Sequence, residues 1–278
     1  MTDRYKDIKA RLIELAEKDD DISCIVAIGS STRKQTAADE YSDLDLIIAT
    51  KNTDSWLSGE YPALLGNVSI AFSEPTLGGG REYRAIYDSD RDVDMIIFTP
   101  TQFESAIKDG TAGWVMNRGY EILLDKAGFT EALSLHISPT VNAPAMSEGE
   151  FKNTVNDFYF HCIWACKKLK RGELWSAKMC VDGYLKDRVL KMAELYCYIK
   201  NSADVWHDGR FFDSWAEPWI TEKLRSCFAH YDKGDIAAAL VNTHRLFSTL
   251  ARECAAMRGY DHPEGAEKCA AEYISGQR

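Results

Sequence analysis

Gly29-Ser30-Ser31-Thr32-Arg33, and then Glu40-Tyr41-Ser42-Asp43-Leu44-Asp45-Leu46-Ile47-Ile48, is the stretch whose reading decides the fold. Ile22 to Ile28, just upstream, is short, rich in β-branched residues and stops at Gly29, which predicts a strand ending in a turn. Leu44 to Ala49 repeats the pattern. Side chains two apart in a strand point the same way, so Asp43 and Asp45 share one face while Leu44 and Leu46 take the other. Two carboxylates held side by side repel unless a cation lies between them, and magnesium, whose coordination shell is commonly completed by substrate phosphates and water, suits the pair. Gly29 lets backbone approach a ligand closely, and Ser30 has a hydroxyl and an amide to offer phosphates at the turn. A bare Asp-x-Asp is often just two acids at the start of a strand. Here a third acid is to hand in Asp88-Ser89-Asp90-Arg91-Asp92-Val93-Asp94. Asp94 is the choice, because it precedes the apolar run Met95-Ile96-Ile97-Phe98 as Asp45 precedes Leu46-Ile47-Ile48; Asp92 is the reserve.

Outward from this centre, Ile8, Leu12, Ile13, Leu15 and Ala16 have helical spacing and lead into Asp19-Asp20-Asp21. Val68 to Phe72 and Val93 to Phe98 are further strands, and Leu77-Gly78-Gly79-Gly80 reads as a flexible connection. From Glu148 onward the texture is helical, carried by Phe151, Val155, Phe158, Cys162, Trp164, Ala165 and Leu169. Helices are predicted over Leu174–Ile199, Trp215–Tyr231 and Ile236–Met257, with breaks near Arg171-Gly172, Asp208-Gly209 and Lys233-Gly234. The proline-containing segment around Pro139 and Pro144 is the best linker. The expectation is an α+β chain: an N-terminal domain over residues 1–136 with a mixed sheet flanked by helices, a linker over 137–146, and a helical bundle over 147–278.

Composition bounds the function. Lysine and arginine number 33 against 43 aspartates and glutamates, a formal charge of −10, which disfavours nucleic acid and anionic membranes and suits a cationic small molecule. No apolar run is long enough to span a bilayer, and Met1-Thr2-Asp3-Arg4 does not open a leader. None of the eight cysteines pairs as Cys-x-x-Cys, which points to free thiols in a reducing cytoplasm. His161, Cys162 and Cys166 have helical spacing for a metal but lack an evident fourth ligand. Of the aromatic residues Tyr159, Trp164, Trp175, Trp206, Trp215 and Trp219, most are expected in the core, and His207-Asp208-Gly209 reads as a turn.

Gly-Ser followed about a dozen residues later by Asp-x-Asp resembles the DNA polymerase β-like nucleotidyltransferase superfamily. Within it the chain looks most like the aminoglycoside 6-adenylyltransferases, the streptomycin adenylyltransferase family, over nearly its whole length. Besides Gly29-Ser30 with Asp43 and Asp45, the resemblance is carried by Val93-Asp94-Met95, Glu121-Ile122-Leu123-Leu124-Asp125-Lys126, Asp157-Phe158-Tyr159 with Lys167, Leu169, Arg171 and Glu173, and Arg258-Gly259-Tyr260 with Pro263. The chain departs from the pattern at Arg33-Lys34-Gln35-Thr36-Ala37-Ala38, where asparagine and proline are expected, and at Asp92, where a basic residue is expected.

The resemblance implies a nucleotidyltransferase domain followed by a helical substrate-binding domain, with ATP and drug meeting in the cleft between them. It implies magnesium-dependent transfer of AMP from ATP to a hydroxyl of a streptomycin-like aminoglycoside, with release of pyrophosphate. Asp43, Asp45 and Asp94 are the catalytic and metal-binding candidates. Gly29, Ser30, Arg33 and Lys167 are the nucleotide-binding candidates, and Glu173 and Asp182 are candidates to meet the ammonium groups of the acceptor. A lincosamide or another small hydroxyl compound is the rival acceptor, and a non-catalytic nucleotide- or drug-binding module is the rival from another class. Monomer and homodimer are both compatible with the sequence.

Overall fold

A computed structural model describes residues 3–33, 38–76, 80–137, 144–205 and 207–276, the side chain of His207 excepted. The chain divides into two compact units, Met1–Asn142 and Ala143–Arg278. Ser138 to Ala143 of the expected linker, Lys34 to Ala37, Leu77 to Gly79 and Trp206 lie outside the described residues.

The first unit is built on a six-stranded mixed sheet in the order β3-β4-β5-β2-β1-β6, from β1 (Ile22–Ile28), β2 (Leu44–Thr50), β3 (Val68–Pro75), β4 (Arg81–Tyr87), β5 (Arg91–Phe98) and β6 (Glu121–Asp125). Neighbours pair antiparallel except β2 and β5, which run parallel. Strands β1 and β2 are buried almost throughout because both faces of the sheet are covered. On one face Ile25, Ala27, Leu44, Leu46, Ile48, Val93 and Met95 pack with Ile8, Leu12 and Ala16 of α1 (Lys6–Lys18) and with Trp56 of α2 (Thr53–Leu57). On the other, Cys24, Val26, Ile28, Ile47 and Ala49 pack against α3 (Pro100–Lys108), α4 (Thr111–Met116) and α5 (Phe129–His136) through Phe103, Ile107, Met116 and Leu133.

Strand β4 escapes the sequence reading because Arg81, Glu82 and Arg84 interrupt its apolar character, although Tyr83, Ala85 and Tyr87 keep a strict alternation and are buried. Strand β6 lies at the sheet edge, its residues only partly buried.

The second unit is helical: α6 (Glu148–Lys170), α7 (Leu174–Met179), α8 (Leu185–Asn201), α9 (Phe212–Trp215), α10 (Pro218–Leu224), α11 (Lys233–Arg258) and α12 (Glu264–Ile274). A capping box formed by Ser147 and Glu150 starts α6. Its core is one continuous cluster that includes Phe158, Phe247, Met192, Leu250 and Cys254.

Three helix boundaries differ from expectation. The run over Leu174–Ile199 is interrupted by a π-turn at Cys180–Tyr184, where one extra residue per turn is accommodated. Trp215–Tyr231 is not one helix. Ala216 and Glu217 are extended ahead of Pro218, whose ring disfavours helical backbone in the residue before it, and Pro218 then opens α10. Lys233 and Gly234 are not a break but the first residues of α11, because the Asp232 side chain accepts from the amides of Gly234 and Asp235. Trp175 is exposed, unlike Tyr159, which is buried. All eight cysteines are free, and among the described residues no helix is long and apolar enough to cross a membrane.

One partly buried acid of this unit sets a pH dependence. Burial pushes the Glu194 carboxyl up to about 7, with Asp187 and Asp208 adding to the rise and Lys191 opposing it. The same group in an unfolded chain titrates near ~4.3. The fold thus favours the protonated form, a contribution that is full below the unfolded value and is lost as pH rises through about 7. Between pH 5 and pH 8 the wild-type chain is expected to lose stability relative to Glu194→Gln in urea unfolding, on the order of 1 kcal/mol once screening by solvent is allowed for, and equal losses in both would show the assignment to be wrong.

Candidate active site

The end of β1 and the start of β2 are shaped around one carboxylate. Gly29 adopts φ +73° and turns the chain into a short 3-10 segment, Gly29–Ser31. A Cβ built on Gly29 would come within 1.9 Å of Asp45 Oδ2, so the missing side chain is the space that the Asp45 carboxylate occupies. The turn is held by the Thr32 hydroxyl, which lies 3.2 Å from the Gly29 carbonyl and 3.0 Å from that of Gly119. Gly119 is itself required, because a Cβ there would meet the Thr32 carbonyl at 2.4 Å. Ser30 is buried and its hydroxyl donates to the Asp43 backbone carbonyl at 3.2 Å. From α1's side, the Tyr5 hydroxyl donates to the Ser42 carbonyl at 2.9 Å, pinning the backbone immediately before Asp43.

Pairing then delivers the third acid. The parallel register sets Asp45 opposite Asp94, as Leu44 is set opposite Val93. Asp43, Asp45 and Asp94 each present a carboxylate oxygen within 4.8 Å of the others, all three side chains partly buried. Asp92, one pleat earlier on the same strand, is exposed. Arg84 of β4, opposite Asp94 in the ladder, donates from Nε to Asp94 Oδ1 at 3.0 Å and pairs through Nη2 with Oδ2 at 2.6 Å. Glu74 of β3 holds the other side of that guanidinium at 3.2 Å.

Burial raises the Asp94 carboxyl above the usual range. The Arg84 hydrogen bond and charge act against this, while Asp43 and Asp92 add to it. Glu82 is raised as well, first by burial and then by the charge of Asp94.

The donor set fits a small hard cation. All three candidate ligands are carboxylate oxygens, and their mutual spacing within 4.8 Å is compatible with an octahedral magnesium shell, in which oxygens ~2.1 Å from the ion stand about 3–4.2 Å from one another. Among the described residues no other cluster of this kind occurs. His161, considered for a metal with Cys162 and Cys166, instead pairs with Asp157 at 3.1 Å.

The remaining candidates are placed differently. Arg33 comes after Thr32, the residue that closes the Gly29–Ser31 turn, and is partly buried. Lys167, Glu173 and Asp182 belong to the second unit. Lys167 is exposed and lies over the Tyr273 ring at 5.7 Å. Glu173 is paired with Lys168 and with Arg171, the latter at 2.9 Å. Asp182 is paired with Lys178 and accepts from the Ala229 amide. Neither acid is therefore an unmatched negative charge. The residues that sequence reading missed are Arg84 and Glu82 on β4 and Glu74 on β3; the signal for the first two is the alternation of β4, which places them on the face opposite Tyr83, Ala85 and Tyr87.

The family model for streptomycin adenylyltransferase matches residues 3–277, nearly the whole chain. The chain belongs to the streptomycin adenylyltransferase family. This adenylyltransferase-family chain is thus a nucleotidyltransferase. No curated protein matches it by sequence. Among solved structures it is similar to an aminoglycoside 6-adenyltransferase from Bacillus subtilis, at 15% identity over 99% of this chain and 98% of that one, with a TM-score of 0.47. It is also similar to a nucleotidyltransferase-like protein from Exiguobacterium sibiricum, at 10% identity over 99% of this chain and 89% of that one, with a TM-score of 0.35. The family assignment rests on the sequence model alone.

In this adenylyltransferase the fit of Gly29 against Asp45 is open to test. Gly29→Ala forces the carboxylate aside and strains a left-handed backbone, and is expected to cost about 1–3 kcal/mol in thermal unfolding. It is also expected to cut nucleotidyl transfer at least about 100-fold, as displacements near 1 Å at a reacting centre do. A variant with wild-type turnover would show that Asp45 need not lie where Gly29 admits it.

Proposed function

We propose that this enzyme transfers AMP from ATP to a hydroxyl of a streptomycin-like aminoglycoside in a magnesium-dependent reaction that releases pyrophosphate. The observation that carries the reading is the set of three carboxylates, Asp43, Asp45 and Asp94, converging beside the Gly29-Ser30 turn in a chain of the streptomycin adenylyltransferase family. The acceptor is the family's; the net charge of −10 favours a polycation over an anionic acceptor.

Asp43 and Asp45 would hold magnesium, with Asp94 as the third ligand. Bound there, the ion supplies Lewis acidity, neutralising phosphate oxygens and lowering the pKa of the acceptor hydroxyl. The protein's own part is alignment and charge control, which dominate phosphoryl-type transfer. Gly29 leaves the room that the Asp45 carboxylate fills, so that this acid lies against the turn, and Ser30 ties that turn to Asp43. Asp94 would either ligate the metal next to the acceptor or take the acceptor's proton at a carboxylate oxygen. Arg33, next to the turn, is a triphosphate contact in this reading. Lys167 is one on the family resemblance alone. Glu173 and Asp182 are the groups for the acceptor's ammonium groups in this reading, each now paired with a lysine that the acceptor would displace.

The test is direct. The protein is incubated with ATP and magnesium and offered streptomycin, kanamycin and lincomycin separately, and products are weighed by mass spectrometry. An adenylyl increment on streptomycin is expected, with pyrophosphate released in step and with the reaction abolished by EDTA. An increment on lincomycin alone would reassign the acceptor. No increment and no pyrophosphate would leave a binding module. Asp45→Asn is expected to lower turnover by at least about 1,000-fold, the several kcal/mol that a metal site contributes, while the melting temperature stays near that of wild type. Full activity in that variant would mean that the metal site lies elsewhere.

A further inference from the structure

We infer that Arg84 is the positioning residue of the carboxylate cluster: it clamps Asp94 so that the free lone pairs of that carboxylate face Asp43 and Asp45. The inference rests on the metal-site reading above and adds a residue to it.

A row of charged side chains crosses one face of the sheet through the register. Glu74 on β3 holds Arg84 on β4, Arg84 stands opposite Asp94 on β5, and Asp94 stands opposite Asp45 on β2. An ionised carboxylate has about four lone-pair positions, and an arginine fork uses two of them, one on each oxygen. Arg84 makes that two-point contact, through Nε to Oδ1 and Nη2 to Oδ2. Asp94 nevertheless keeps an oxygen within 4.8 Å of both other acids. The clamp and the cluster are thus satisfied by one orientation of Asp94, and the guanidinium does not withdraw it from the site.

Asp94 has reason to leave if released. Its side chain is only 13% exposed, it lies beside two like charges, and rotation away from them would relieve the repulsion. A fork with two fixed contacts resists that rotation, whereas an ammonium, a point charge on a flexible stem, offsets the charge without fixing the plane of the carboxylate. Glu74 on one side and the Phe72 ring, 6.0 Å from the guanidinium carbon, keep Arg84 itself in place.

Orientation and simple charge balance predict opposite results. Mn2+ alone is titrated into the protein without nucleotide or acceptor, and the free ion is followed by its electron paramagnetic resonance signal. If Arg84 orients Asp94, both Arg84→Lys and Arg84→Ala bind Mn2+ more weakly, by about 10- to 100-fold, the usual effect of removing a group that orients a metal ligand. In adenylyl transfer, kcat falls by a similar factor while KM for ATP moves less than about 3-fold. If Arg84 is only a counter-charge, Arg84→Lys behaves as wild type in Mn2+ binding and in kcat; that result overturns the inference whatever Arg84→Ala does. Arg84→Lys retains the charge and supports the test should Arg84→Ala fail to fold, with circular dichroism as the check. Asp45→Asn, titrated alongside, separates the two levels: if it binds Mn2+ as wild type does, the three carboxylates are not the metal site, and the metal-site reading falls with the inference. If it loses Mn2+ while Arg84→Lys keeps it, the inference alone falls.

Discussion

Strands β2 and β5 run parallel, and their register sets Asp45 against Asp94, like charge beside like charge, at the end of the sheet where β1 turns away. Parallel neighbours cannot be joined by a tight hairpin. The chain between them makes α2 and the β3–β4 hairpin before returning as β5, and that excursion brings Arg84 to the far side of Asp94. The juxtaposition of acids is costly in itself, since each partly buried carboxylate raises the cost of ionising the next. The surrounding features read as the means of holding it: a glycine where a side chain would strike Asp45, a tyrosine hydroxyl fixing the backbone before Asp43, and an arginine fork on Asp94.

Such a site needs a stiff support. The central strands supply it because both faces of the sheet are covered, by α1 and α2 on one side and α3 to α5 on the other. Each functional carboxylate lies at the start of its strand's apolar run, so the buried residues beyond it, Leu46 and Ile48 in β2 and Met95 and Ile97 in β5, anchor the backbone that carries it. The helical unit obeys a different economy. Two of its acids are matched internally: Asp157 accepts from Tyr184 and Arg188 and pairs with His161, and Glu267 is held by Arg252 and His262. These two acids are kept by partners, whereas Asp43, Asp45 and Asp94 also face one another.

Local patterns carried a good part of this fold. The strand from Ile22 to Ile28, the face shared by Asp43 and Asp45, and the helix beginning near Glu148 depend on alternation, β-branching and a capping box, all of which are local. Where the pattern misled, a competing local effect prevailed. Pro218 divided a run that hydrophobicity alone makes continuous, Asp232 drew Lys233 and Gly234 into a helix, and the charges of β4 hid its alternation.

By itself the sequence determined the residue types of the reaction and their spacing: Gly29-Ser30, the Asp43–Asp45 pair, and a further acid before an apolar run, because period-two alternation and the close approach that glycine permits are properties of a few consecutive residues. Only the tertiary structure decided which of the acids from Asp88 to Asp94 joins them and what holds it there. Asp94 rather than Asp92 reaches the cluster because the β2–β5 register places it beside Asp45. Arg84 reaches Asp94 across a strand boundary, from a strand whose own sequence conceals it. Contacts between strands depend on register, and register is a property of the whole sheet.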